Sequence, residues 1–83
     1  MDVYPNPAGS VIICAFDRTL SGNVNLDIMD VYGHAVKSTE HLAVKGINTL
    51  STDISELPSG VYYIRISNSD LSEEVRTARF VKN

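Results

Sequence analysis

The chain has no tryptophan, one cysteine and only three prolines among 83 residues, and aromatic residues make up 7% of it. With Cys14 alone, no disulfide forms within the chain, and one thiol does not fix the redox compartment. Cys14 lies in an apolar run with no ligand-type neighbour, so it reads as a buried thiol acting as a small hydrophobe. Basic residues are not in excess: the net charge is −3, which leaves no electrostatic footprint for nucleic acid or anionic lipid. No apolar run approaches the roughly 20 residues of a membrane helix. A basic N-terminal region followed by an apolar core, the mark of a signal peptide, is also missing.

What is present is ordinary globular composition, 43% hydrophobic and 20% charged, at the length of one small domain. Residues 1–83 are read as that single domain, excised from a longer protein, with Met1 added. The size leaves little room for a deep catalytic cleft.

The strongest segment is Leu57-Pro58-Ser59-Gly60-Val61-Tyr62-Tyr63-Ile64-Arg65-Ile66. Pro58 fixes its own φ and keeps Leu57 out of the helical region. Gly60 is the residue for a positive φ in a tight turn. Residues 61–66 are β-branched or aromatic apart from Arg65. Alternation puts Tyr62, Ile64 and Ile66 on the core face, Val61, Tyr63 and Arg65 on the wetter one, and predicts a central strand. Residues 23–30 alternate as cleanly, with Val24, Leu26 and Ile28 against Asn23, Asn25 and Asp27.

The other strands are weaker. Val3 and Tyr4 read as a short edge strand, stopped by Pro5 and Pro7 on either side of Asn6. Residues 11–16 are apolar on both faces, so alternation does not identify their inward side. Residues 17–22 read as a polar connection and Gly33 as the positive-φ residue of a turn. Residues 35–42 form a polar strand carrying Val36. Residues 47–54 place Leu50, Thr52 and Ile54 on one face, Asn68-Ser69-Asp70 breaks the central strand, and residues 75–81 form the last one. About seven short strands with turn chemistry between them predict an all-β, immunoglobulin-like antiparallel β-sandwich, although the Cys–Trp–Cys pattern is absent.

No constellation supports catalysis, a metal or a cofactor. His34 and His41 flank a weak strand at a spacing unlike a metal site and read as solvated loop or edge residues. Asp17, Asp27 and Asp30 do not follow the calcium-loop pattern. No serine lies in a nucleophile elbow, and Ser59 reads as a turn residue. Adjacent Glu73 and Glu74 point to opposite faces of a strand and read as a solvated turn. Tyr4, Tyr32, Tyr62 and Tyr63 read as packing residues, with Tyr63 partly exposed. The alternative gives Tyr32 and Tyr63 to a carbohydrate-stacking platform on an accessory sandwich. Arg76, Arg79 and Lys82, with Arg65, make the last part of the chain locally basic, either as edge protection or as a recognition surface.

Four blocks carry a family resemblance: Val3-Tyr4-Pro5-Asn6-Pro7, Asp30-Val31-Tyr32-Gly33-His34-Ala35-Val36, residues 53–62 with their Leu-Pro-Ser-Gly-Val-Tyr core, and Arg79-Phe80-Val81-Lys82. In this order and spacing, and over essentially the whole chain, they resemble the C-terminal sorting domain of the bacterial type IX (Por) secretion system. The resemblance implies an export address, not an enzyme. The domain would follow a cargo protein, fold in the periplasm, and direct the cargo through the outer-membrane translocon and its shuttle components to the surface or medium. A surface sortase would then remove it at a site upstream of Val3. It implies recognition residues Gly60, Tyr62, Arg79 and Lys82, to which the charge of the last strand adds Arg76, while Pro5, Asn6, Pro7, Gly33, Pro58 and Gly60 read as turn residues. Arg79 stands where the family often has lysine, keeping the charge but not the point-like ammonium. Pairing of two copies through an edge strand is a further expectation.

Overall fold

Period-two burial governs the long strands of the computed structural model, which describes residues 1–68 and 75–83. The described residues hold seven strands and no helix: β1 (Asp2–Tyr4), β2 (Val11–Arg18), β3 (Gly22–Met29), β4 (Ala35–Ala43), β5 (Gly46–Asp53), β6 (Gly60–Asn68) and β7 (Arg76–Lys82). In β3, Val24, Leu26 and Ile28 are buried, and in β6 Tyr62, Ile64 and Ile66 are, as alternation predicts. β2 settles the side that alternation left open: Ile12, Cys14 and Phe16 point inward.

The strands form two antiparallel sheets packed as a sandwich, in the orders β1-β2-β5 and β4-β3-β6-β7. β6 is an inner strand, as its composition predicts. The immunoglobulin-type plan puts the second and fifth strands side by side in one sheet, and the third, sixth and seventh in the other. Both groupings occur here, and β4 is added beside β3. A register shift where Ile28 opposes Lys37 and Met29 opposes Ala35 leaves Val36 as an extra, bulged residue near the start of β4.

The core lies between the sheets and is built from Ile12, Leu26, Ile28, Ile54, Ile64, Ile66 and Phe80, each fully buried. Burying one such side chain is worth about 1.5–3 kcal/mol. Cys14 is buried among them, and burial pushes its thiol pKa up to about 11, the Leu50 backbone opposing this weakly.

Some boundaries differ from the sequence reading. The stretch read as a polar connection at 17–22 is shorter, residues 19–21: β2 continues through Arg18, and β3 begins at Gly22. Arg18 falls on the core-facing parity of β2 and is 5% exposed, with its Nε donating to Leu20 O at 3.2 Å. A long aliphatic stem reaching the sandwich end makes an inward arginine tolerable there. The hydrogen-bonded turn before β6 spans 54–57, where Leu57 N donates to Ile54 O at 3.0 Å, and Gly60 opens the strand itself at φ 154°. Of the break read at Asn68-Ser69-Asp70, Asn68 still belongs to β6. Ser69 and Asp70, with Glu73 and Glu74, lie outside the described residues.

Candidate recognition site

Antiparallel pairing gathers at one end of the sandwich the ends of β1, β3, β5 and β7 and the starts of β2, β4 and β6. The four sequence blocks therefore meet there, although they are spread over the whole chain.

The first and last blocks are bonded to each other. After β1, Asn6 sits between two prolines, which donate no N–H and leave the chain free of sheet bonding there. Its Oδ1 accepts from Val81 N at 2.9 Å, across 75 residues of sequence. Ala8 N donates to Val81 O at 2.7 Å, and Asn83 N donates to Ala8 O at 2.9 Å. Ala8, fully buried, bridges Lys82 in parallel. The end of β7 thus lies in a slot, with Gly60 and Val61 of β6 on one side and residues 6–8 on the other.

The second block is a tight turn tied by Asp30. Its Oδ1 accepts from the amides of Tyr32 and His34 at 2.9 and 3.0 Å, and its carbonyl accepts from Gly33 N at 3.1 Å. This is an Asx-type turn, and Gly33 supplies the left-handed residue at φ 85°. Tyr32 stands at the tip, 81% exposed, with its ring 6.4 Å from that of His34.

The third block crosses the sandwich end. Ile54 N donates to Ser10 O at 2.8 Å, and Ile54 and Leu57 plug the core. Lys37 of β4 reaches over from the other sheet, donating to Asp53 O and to Glu56 Oε1, the latter at 3.0 Å. Hydrogen bonds from the Ser55 amide and hydroxyl hold the Asp53 carboxyl below its usual range, and the Lys37 ammonium does the same for Glu56.

The predicted recognition residues fall into two groups. Gly60, Tyr62 and Lys82 belong to the convergent end, with Gly60 opposite Lys82 and Tyr62 opposite Phe80. Tyr62 is 6% exposed, its ring stacks on Phe80 at 5.8 Å, and its hydroxyl donates to Pro58 O at 2.6 Å. A tyrosine near the start of the sixth strand bonded back to the preceding corner is the tyrosine corner of immunoglobulin-type sandwiches. Tyr62 thus holds the corner from inside and shows little surface. Arg76 and Arg79 lie further along β7. By parity Arg76 and Lys82 share the face of Phe80, while Arg79 is exposed on the outer face opposite Tyr63. The three cations do not form one patch, since about 20 Å of strand separates the first from the last.

Other candidates disperse. Tyr62 faces the core, Tyr63 is half-buried on the outer face of the four-stranded sheet, Tyr32 caps a turn and Tyr4 lies on the other sheet, so the tyrosines make no common platform. Asp27 accepts from Ser38 Oγ at 2.7 Å and from Arg65 Nη2 at 3.2 Å, while Asp30 serves its own turn. His34 is exposed in that turn and His41 is half-buried on β4, against Thr39 Oγ1 at 2.8 Å. Among the described residues no three acidic, histidine or cysteine side chains come together as a metal site. Sequence reasoning missed Asn48, which is buried and bonds Val44 N, Val44 O and Gly46 O to close the turn between β4 and β5. A polar residue at an inward position of a strand was the available signal.

The model of a family described as a secretion system C-terminal sorting domain matches residues 2–82. A search of the curated proteins found no match.

Proposed function

The chain belongs to the family of type IX secretion system C-terminal sorting domains, and from that premise we propose that it is the folded address by which a cargo protein, attached ahead of β1, is passed through the outer-membrane translocon. The family is one of sorting signals, not of catalysts, and its signal implies export to the cell surface or medium. The observation that carries the proposal is the match over residues 2–82 together with the meeting of all four blocks at one sandwich end. An address must be folded and exposed to be read. Here β1 runs toward that end, so cargo joined ahead of β1 departs from the opposite one and does not cover the convergent end.

In this reading Arg79 and Lys82, with Arg76, contact translocon or shuttle components. Gly60 and Tyr62 act through the geometry they impose on β6 and β7. The domain folds in the periplasm, and a surface sortase then separates it from the cargo within the preceding linker. A periplasm-directed fluorescent protein fused to residues 2–83 tests the address. It reaches the surface or medium of a bacterium owning the type IX system and stays inside a strain lacking the translocon. Equal retention in both strains, with the fusion intact and folded, refutes it. A fusion truncated within β7 is a poor control, because Phe80 is fully buried and its loss removes core.

A further inference from the structure

β7 is an edge strand, and among the described residues only its last part is bonded on the outer side. Val81 directs both its N–H and its C=O away from β6, to Asn6 Oδ1 and Ala8 N. In an antiparallel ladder, residues two apart direct their backbone groups to the same side. Thr77 and Arg79, opposite Arg65 and Tyr63 in the same register, therefore also present N–H and C=O groups outward. Among the described residues nothing pairs with these groups, and both residues are exposed. The open segment ends abruptly at Val81, where residues 6–8 already occupy the next strand position.

We infer that the open part of β7 is a strand-addition site: a short extended segment of the secretion machinery, rich in carboxylates, pairs with Thr77 and Arg79 and stops against residues 6–8. This rests on the sorting reading above and names how the contact is made. Backbone pairing supplies affinity in such additions, and side chains supply the choice of partner. The charge of this edge sets that choice. Arg79 is exposed beside the open groups and Arg76 begins the strand, in a chain of net charge −3. A second copy of the domain is a poor occupant, because pairing β7 with β7 would bring these cations against themselves.

Proline makes the test, because an edge strand tolerates it where the N–H faces outward. Thr77→Pro deletes one outward donor, and Thr77→Ala removes the side chain alone. Both are made in the fluorescent fusion and in the purified domain. The expectation is that both melt with the wild type, that Thr77→Ala is exported normally, and that Thr77→Pro falls to the background of a fusion without the domain. Arg79→Glu likewise loses export, and Arg79→Lys retains it. Normal export of Thr77→Pro overturns strand addition while leaving the sorting reading intact. Retention of the wild-type fusion refutes the sorting reading itself. Should Thr77→Pro melt lower, Arg79→Pro, read against Arg79→Ala, replaces it, because the Arg79 N–H also faces outward, and export of Arg79→Pro at the wild-type level is equally fatal. Export of Arg79→Glu at the wild-type level overturns the acidic character of the partner.

Discussion

Replacing Tyr62 by phenylalanine removes a single hydroxyl and with it the bond that ties β6 to the corner before it. That hydroxyl donates to Pro58 O at 2.6 Å, while the ring stays stacked on Phe80 at 5.8 Å. One such bond is worth about 0.5–1.5 kcal/mol net. Pro58 is exposed, so water takes over the orphaned carbonyl and the cost stays within this range. For a domain of this size about 1 kcal/mol lowers the melting temperature by roughly 4–8 °C. With a urea m-value of about 1 kcal/mol/M, the midpoint falls by about 1 M. Tyr62→Ala also removes the ring, at about 3–5 kcal/mol, which is a large part of the roughly 4–12 kcal/mol that holds a domain of this length together. Urea titration of the purified domain by circular dichroism, run alongside the export assay, reads both effects. If Tyr62 is a corner residue, Tyr62→Phe is less stable, yet it is exported as long as it stays folded. Unchanged stability with lost export would refute this reasoning and make the hydroxyl a contact for the machinery.

Four further outcomes are expected. Cys14 has a folded-state pKa raised from 9.0 to about 11; stability is therefore flat below about pH 9 and falls by about 2–3 kcal/mol as the pH rises to 11, where the unfolded thiol ionises first. Comparing the pH slopes of the wild type and Cys14→Ala isolates this effect, and a thiol reagent at pH 8 modifies Cys14 only after unfolding. Gly33→Ala, at φ 85°, loses about 1–2 kcal/mol, whereas Gly9→Ala, with open space around the new Cβ, is neutral by thermal melting. Asn6→Ala frees the Val81 amide, at about 0.5–1.5 kcal/mol, and amide hydrogen exchange shows that amide exchanging faster. Glu56 has a pKa lowered by Lys37, so their ion pair is fully present above the ordinary carboxylate range and is lost as the pH falls through the lowered value; the protection of the Leu57 amide against hydrogen exchange, relative to its intrinsic rate, falls in acid, and Lys37→Met removes the part that Glu56 contributes.

The sequence by itself determined which segments are strands and, for β3 and β6, which faces go inward. Each of these strands has one wet face, and a shift by one residue would expose Leu26 or Ile64. It also placed Gly33 in its turn, since a chain that reverses there needs a residue free to take a positive φ. The inward side of β2 was not legible, because Val11, Ile13 and Ala15 are as apolar as the residues they alternate with. Nor was the burial of Arg18 and Asn48, whose polar groups are acceptable inside only through bonds formed with neighbouring backbone. The family blocks were visible one at a time, but not their meeting place. Asn6 and Val81 are 75 residues apart, and only the folding of the two sheets over one core brings them within a hydrogen bond. That contact covers the last part of the β7 edge, and among the described residues no backbone bond covers Thr77 and Arg79. Such a division arises from long-range backbone pairing and leaves no local trace in the order of the residues.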